Sequence, residues 1–336
     1  MPSNVVVFPA ALECVFDQEG FETAANKPDD VVLKTLYSVV SAGTEGALYR
    51  GTESWAKHPI KPGYGAVGEV VALGEQVTDF KLGDIVFTYG NHATYVRAKR
   101  MMLKVPDGVD PKLAVMARMA QVSFTSLRVA DAALGDTVAI IGQGLVGNIA
   151  AQLFTLAGCK VIGIDVMPSR LALAERCGVE HTINALQEDV VERVKEITDG
   201  RLCATVIEAS GIPDQALTAA RLAGKKGEVV LLGSPRGEFR DDAVDLLNQV
   251  HLWDRGCVTF KGAHEWRLPD KASPKQHYKH SIEGNLLTYF DLVRRGKLNI
   301  EPLISHVVKP EGCADIYAQL HGKNEEFMGV LFDWKD

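Results

Sequence analysis

Three glycines, Gly142, Gly144 and Gly147, are separated by Gln143 and by Leu145 and Val146 in the pattern G-x-G-x-x-G. Glycine leaves no side chain where a diphosphate must approach the backbone, so the chemistry this spacing suggests is dinucleotide binding. Gly142 permits a tight turn, Gly144 leaves room for the pyrophosphate, and Gly147 lets a following helix lie close on a sheet. An acid, Asp165, stands 18 residues beyond Gly147. Its carboxylate can accept hydrogen bonds from both hydroxyls of an adenosine ribose and repels a 2′-phosphate, so NAD is expected over NADP. Arg170 is placed to contact the adenosine end; paired instead with a 2′-phosphate, it would admit NADP.

These residues need a strand before them and a helix after them. Val138-Ala139-Ile140-Ile141 has the composition of a buried parallel strand, and an apolar helical pattern follows it. From about residue 119 to 263, strand-like runs (Thr137–Ile141, Lys160–Ile164, Ala204–Ile207, Gly227–Leu232, Val258–Lys261) alternate with helical patterns. The helices are expected near Gly147–Leu156, Ser169–Cys177, Val190–Thr198 and Gln215–Leu222. Alternating β and α elements imply a doubly wound parallel sheet. Ligands of such sheets bind at the carboxyl ends of strands, so Ser210, Gly233 and Ser234, each following a strand, are expected to line the cofactor cleft or to be plain turns.

Residues 1–115 differ in texture. Short β-branched runs such as Val31-Val32-Leu33, Gly68-Glu69-Val70-Val71 and Asp84-Ile85-Val86-Phe87 are separated by Gly and Pro. That reads as an antiparallel, barrel-like β domain. Residues 264–336 carry a helix near Ile282–Arg295 and strands at Ile304–Val308 and Met328–Phe332 that are expected to rejoin it. The expected organisation is a β-barrel domain of 1–118 and 264–336 interrupted by an α/β dinucleotide domain of 119–263.

Bulk properties narrow the function classes. With 336 residues, two domains are expected. The net charge of −7 argues against a nucleic-acid partner, which would need a surplus of Lys and Arg. Thr137–Cys159 is uncharged and long enough to span a bilayer, but Gln143, Asn148, Gln152 and its glycines make a buried strand, turn and helix the better reading. No secretory signal is visible at Met1-Pro2-Ser3-Asn4, so a cytoplasmic location is expected. The six cysteines are scattered and form no C-x-x-C, which suggests reduced, buried thiols.

With these pieces placed, the chain resembles the medium-chain dehydrogenase/reductase superfamily, of alcohol dehydrogenase type. The resemblance runs through Ser41-Ala42-Gly43-Thr44-Glu45, Gly63-Tyr64-Gly65-Ala66-Val67-Gly68, Gly83-Asp84-Ile85-Val86, the glycine fingerprint and Lys261-Gly262-Ala263. It implies a GroES-like catalytic domain interrupted by a Rossmann domain, and dimers or tetramers. Zinc-dependent members carry Cys-Gly-Thr-Asp, Gly-His-Glu and a Cys or Glu before the Rossmann domain; here those places hold Ala42, Tyr64 and Arg118. Ala and Arg cannot ligate zinc, Tyr does so rarely, and an arginine cation repels a dication. The four-cysteine lobe of many relatives is missing as well, since Gly90-Asn91-His92-Ala93-Thr94-Tyr95 follows the Val86 strand without insertion. Both zinc sites are therefore expected to be absent. The Gly-Thr-Glu and Gly-Tyr variants are similar to a subgroup of bacteriochlorophyllide-type and sugar- or polyol-associated dehydrogenases.

Without zinc, a side chain must handle the proton of the substrate hydroxyl. Thr44 matches the family's relay hydroxyl, and Tyr64 places a second, acidic hydroxyl at a former ligand position or fills an apolar gap. His92, at a strand end, is either a general base or a satisfied core histidine. Glu45 either meets substrate or makes structural hydrogen bonds. Arg118 either forks onto a substrate carboxylate or polyol, or makes an internal ion pair. The resemblance places Gly262 and Ala263 against the nicotinamide carboxamide, with His264, Glu265 and Trp266 facing substrate. Trp266 could stack on a sugar ring or pack in a core or subunit interface. The polar segment Ser273–His280 reads as a loop. The function expected is a zinc-independent, NAD-dependent dehydrogenase interconverting a secondary alcohol, of a sugar or polyol, with a ketone. The alternatives are an NADPH-dependent enone or quinone reductase and a catalytically silent NAD-binding protein.

Overall fold

A computed structural model describes residues 1–241, 243–273, 278–322 and 326–335. In chain order, a hairpin of β1 (Pro2–Val7) and β2 (Val15–Gly20) precedes the long strand β3 (Val31–Val40) and helix α1 (Ala42–Arg50). Strands β4 (Ala66–Leu73), β5 (Ile85–Thr88), β6 (Tyr95–Ala98) and β7 (Leu103–Lys104) follow, then helices α2 (Pro111–Val115) and α3 (Ala117–Val129). Next come β8 (Thr137–Ile141), α4 (Leu145–Leu156), β9 (Lys160–Asp165), α5 (Pro168–Arg176), β10 (His181–Asn184), α6 (Val190–Ile197) and β11 (Cys203–Glu208). The chain continues through α7 (Gln215–Leu222), β12 (Ala223–Leu231), α8 (Ala243–His251), β13 (Thr259–Gly262) and α9 (Ile282–Arg294). It ends with β14 (Ile304–Val308), α10 (Cys313–His321) and β15 (Gly329–Asp333).

The chain divides into a first unit of Met1–Arg118, Leu286–Arg295 and Ile300–Asp336, and a second of Met119–Asn285 and Gly296–Asn299. Residues 264–285, expected with the first domain, thus fall in the second unit.

In the second unit the strand order is β10-β9-β8-β11-β12-β13, every pair parallel. Strands are added outward on one side of β8, then on the other, so the order reverses between β8 and β11, where ligands of open α/β sheets bind. The near-continuous apolar run of β8 has its reason in two-sided burial. Val138 and Ile140 pack with Ala150, Ala151 and Phe154 of α4 on one face. Ala139 and Ile141 pack with Val194, Ala219 and Leu222 on the other. Removing the fully buried Phe154 ring would cost about 3–5 kcal/mol. Lys261 on β13 lies in an acidic pocket at the amino end of the sheet, with its Nζ 2.6 Å from Asp131 and 2.5 Å from Glu228.

The first unit is built on a sheet ordered β14-β15-β3-β4-β5-β7, with β6 also pairing β3. All its pairs are antiparallel except β14 with β15. Its main core joins Val6, Phe8, Leu48, Tyr49, Tyr317, Phe332 and Trp334. A second cluster is made by Val31, Leu33, Val70 and Val86. The Ser41–Glu45 motif opens a helix, α1, within this β-rich region. Ala47, Leu48 and Arg50 favour its last turns, and Gly51, with a left-handed φ of 68°, closes the helix with bonds to the carbonyls of Ala47 and Leu48.

Two of the elements that the sequence left unread, β10 and α8, belong to the second unit. β10 is short and polar, and α8 turns Val244, Leu247 and Val250 outward while burying Gln249, so its periodicity points away from the core. No described helix is long and apolar enough to cross a membrane. Four residues of the polar loop, 274–277, lie outside the described residues.

Candidate functional site

The glycine turn sits at the carboxyl end of β8. Gly142 takes a φ of 91°, and a Cβ there would lie 3.0 Å from the Ser210 nitrogen. At Gly147 a Cβ would fall 1.8 Å from the Gly142 carbonyl oxygen, so only glycine lets α4 start this close to the turn. A Cβ on Gly144 would meet open space, and no side chain caps the helix at that residue. The first N–H groups of α4 thus face a side-chain-free approach, the arrangement that binds a phosphate. Leu145 and Val146 are half-buried; the Val146 carbonyl accepts from Ser123 Oγ at 2.7 Å.

Asp165 closes β9 beside this turn. Its Oδ2 accepts from the Gln143 N–H at 2.7 Å and its Oδ1 from the Met167 N–H at 2.9 Å. Each oxygen keeps a second acceptor direction for a ribose hydroxyl. The Arg170 guanidinium stands 3.9 Å away. The Gln143 side chain turns inward: it is fully buried against Gly163, its Nε2 donates to the Ile140 carbonyl, and its N–H is taken by Asp165.

Ser210 is likewise turned inward, its hydroxyl and N–H both donating to buried Glu208. Burial pushes the Glu208 carboxyl up, against the pull of these donors and the Gly211 N–H. The Ser210–Gly211 and Gly233–Ser234 turns are in close contact, since a Cβ on Gly233 would lie 2.3 Å from the Gly211 nitrogen; Ser234 is exposed. After β13, Gly262 is exposed and its carbonyl accepts from Arg267, while Ala263 is buried and its N–H donates to Leu231. His264 accepts from the Trp266 N–H at 3.4 Å; Glu265 is half-buried and Trp266 is 46% exposed. All of these lie at the carboxyl edge of one sheet.

In the first unit, α1 and the turn at Tyr64 bring hydroxyls together. Tyr64 donates to Ser41 Oγ at 2.5 Å and is also hydrogen-bonded to Thr44. The buried Arg118 guanidinium lies 4.3 Å from the Tyr64 ring centre and 4.5 Å from that of Tyr89, a cation–π sandwich. A Cβ on Gly65 would strike Arg118 at 2.7 Å, so that glycine makes room for the sandwich. Tyr64 corrects one expectation. Burial raises its phenol above the ordinary range, although Arg118 and the bonds with Ser41 and Thr44 pull the other way. It is a protonated donor at neutral pH and not an acidic hydroxyl.

His92 and Glu45 correct two more. Both are fully buried, and His92 Nε2 lies 2.9 Å from Glu45 Oε2 while Nδ1 lies 2.7 Å from Ser38 Oγ. Glu45 also accepts from the Ser41 N–H at 2.8 Å and the Tyr317 hydroxyl at 2.5 Å, and Ser38 Oγ accepts from Trp334 Nε1 at 2.8 Å. His92 thus spans the set, Nε2 against the Glu45 carboxylate and Nδ1 against the Ser38 hydroxyl. With both ring nitrogens engaged, the histidine is a satisfied core residue and Glu45 its partner, and neither side chain is exposed. Ser38, Ser41, Tyr317 and Trp334 were missed because no spacing in the sequence links them; only contact across the barrel does.

Zinc fits this donor set poorly. Ala42 has no donor atom and Arg118 is a cation against Tyr64, and among the described residues no group of three or more His, Cys, Asp or Glu could hold a metal ion.

A reversing parallel sheet with a side-chain-free helix start defines a dinucleotide-binding α/β unit. Residues 27–123 match the alcohol dehydrogenase GroES-like domain family and residues 146–267 the zinc-binding dehydrogenase family. D-guloside 3-dehydrogenase of Escherichia coli K12 is 30% identical over 79% of this chain and 76% of its own. The chain belongs to the medium-chain, alcohol dehydrogenase-like superfamily of oxidoreductases. Its fold is shared with galactitol-1-phosphate dehydrogenase from Escherichia coli, at a TM-score of 0.83, 20% identity and coverage of 98% and 99% of the two chains. It is shared also with a short chain alcohol dehydrogenase from E. coli CFT073 complexed with NADH, at a TM-score of 0.81, 18% identity and 99% of each chain.

Proposed function

We propose that this chain interconverts a secondary alcohol of a sugar or polyol with its ketone, using NAD(H) and no zinc. The observation that carries this reading is the Arg118–Tyr64–Thr44 cluster of a cation and two hydroxyls, at positions that the family resemblance assigns to metal and relay in zinc-dependent members. Oxidising a carbinol removes a hydride from carbon and a proton from oxygen. NAD, held at the start of α4 with its ribose toward Asp165, would supply the hydride acceptor.

The residues then handle the proton. In ketone reduction the carbonyl oxygen takes the Tyr64 proton as carbon gains hydride. The Arg118 charge on the ring face stabilises the phenolate left behind. The Ser41 and Thr44 hydroxyls, both bonded to Tyr64, return a proton to it. In oxidation the same transfers run backwards. Trp266, half-exposed, offers a surface for the apolar face of a sugar ring, with His264 and Glu265 beside it. The relative named for D-guloside supports a sugar substrate.

Arg170 favours a second reading, since a guanidinium near the adenosine position could pair with a 2′-phosphate and admit NADP. The test is turnover of a panel of polyols and sugars, followed by cofactor absorbance with NAD and with NADP, on protein assayed for zinc. NAD-linked turnover by zinc-free protein is expected. Stoichiometric zinc whose removal abolishes turnover would overturn the reading. Turnover only of enones or quinones with NADPH, or of nothing at all, would replace it.

A further inference from the structure

The chain carries a net charge of −7, yet one opening in the second unit gathers charge of the other sign. An open cavity of about 370 Å³ at the amino end of the parallel sheet is lined by four cations, Lys160, Arg201, Lys225 and Lys226. All four are exposed. Lys160 opens β9, Arg201 follows α6, and the lysine pair lies near the start of β12. Asp136 also lines the cavity, its Oδ2 accepting from the Ala133 N–H at 2.7 Å, and Arg201 Nη2 stands 3.8 Å from the exposed Asp199 carboxylate. The acids of the adjoining opening, Asp131 and Glu228, are held by Lys261 at 2.6 and 2.5 Å. The cavity therefore keeps an excess of positive charge.

The backbone is shaped to present these groups. In the ladder of β11 and β12, Cys203 pairs with Ala223 and Thr205 with Glu228, so residues 224–227 bulge out of register. Glycine bounds the bulge at both ends. A Cβ on Gly224 would lie 2.6 Å from the Arg201 carbonyl oxygen, and one on Gly227 3.0 Å from that of Ala204. The bulge thus packs directly on the segment that carries Arg201. Lys226 takes a φ of 63° and Leu202, just before β11, a φ of 62°. Left-handed backbone is strained at a lysine or a leucine, and strain of this kind collects at ligand sites. Lys225 Nζ lies 3.7 Å and Lys226 Nζ 5.2 Å from the centre of the Trp253 ring, so an indole face steadies both ammonium groups.

We propose that this cavity binds a polyphosphate group, at a site separate from the cofactor turn. The closely spaced negative charges of such a group match cations set around one opening; Arg201 forks onto two phosphate oxygens and the lysines act as point charges. The Gly142 turn and Asp165 lie at the carboxyl end of the same sheet, so both sites can be filled together. The test is calorimetry on the full chain, with NADH in excess to fill the cofactor turn and with tripolyphosphate, ATP and orthophosphate as probes. One tripolyphosphate per chain is expected, bound at least tenfold more tightly than orthophosphate. Its affinity should fall at least tenfold when Lys225→Ala and Lys226→Ala are combined, and fall again as salt is raised. ATP distinguishes a nucleotide source of the group from an inorganic one. In the unaltered protein, tripolyphosphate should shield Lys160, Lys225 and Lys226 from acetylation, read by mass spectrometry, and leave the exposed Lys195 and Lys297 reactive. Absence of binding, equal affinity for orthophosphate, an affinity unchanged in the double variant, or acetylation that tripolyphosphate does not alter would overturn the proposal. The labelling needs no variant, so it decides even where the double variant folds poorly.

Discussion

Tyr64 and His92 show how much a side chain's surroundings decide. Both carry groups fit for proton transfer, yet one has its hydroxyl among hydroxyls under a guanidinium and the other has both nitrogens spent on Ser38 and Glu45. Tyr64→Phe removes only the hydroxyl, so steady-state kinetics should show kcat reduced by roughly 10²–10⁴-fold with the fold intact. The pH dependence follows in sign. Because burial raises the phenol, the protonated form persists through the ordinary tyrosine range. Ketone reduction should hold its rate until pH passes above that range, and alcohol oxidation should still be rising there; a reduction rate that falls between pH 6 and 8 would assign the proton to another group. For His92 the expectation is opposite in kind. His92→Ala leaves the buried Glu45 carboxylate short of a donor, and should cost about 3 kcal/mol of stability by denaturant titration. The protein that remains folded should keep kcat within a few-fold, whereas a collapse of kcat in stable protein would restore the histidine as a base. At Asp165, replacement by Ala should weaken NAD binding by roughly ten- to a hundredfold and narrow the gap to NADP, read by fluorescence titration. Unchanged preference would mean the carboxylate serves only the Gln143 and Met167 N–H groups.

At the scale of elements, the turn from β8 into α4 was the most legible part of the molecule. Gly142 and Gly147 answer local demands of backbone geometry, and Gly144 leaves the helix start open; such features are written in neighbouring residues. Gly147→Ala forces a Cβ into the Gly142 carbonyl, so the helix must shift. Calorimetry should show NAD affinity lowered by roughly tenfold or more, an overpacking cost of about 1–3 kcal/mol. Gln143 and Ser210 were harder to read, for the complementary reason. Both occupy loop positions where a polar side chain suggests a ligand, but each faces inward, to the Ile140 carbonyl and the Glu208 carboxylate. Helix α1 was hidden in the same way, since five residues of family motif look alike whether they form a loop or a first helical turn. The apolar face of α8 gave a periodicity that points outward, so a pattern reading had no core to assign it to.

For the whole molecule, alternating β and α patterns in one stretch and short β runs in another made both fold classes readable, because parallel and antiparallel sheets bury their strands differently. Long-range polar contacts were not readable: Glu45 reaches Tyr317, and Ser38 reaches Trp334. Elemental analysis of purified protein should find no stoichiometric zinc, and a chelator should leave both melting temperature and turnover unchanged. The same long-range contacts bear on how the protein is made. Residues 119–285, nearly all of the second unit, leave the ribosome before 300–336, which complete the first. Until those last segments emerge, Glu45 has no Tyr317 and Ser38 no Trp334, and the buried polar set around His92 stays incomplete. A nascent chain would therefore carry its second unit finished while its first still waits, and ribosome-bound chains halted at residue 299 should resist protease in the second unit and be cut in the first.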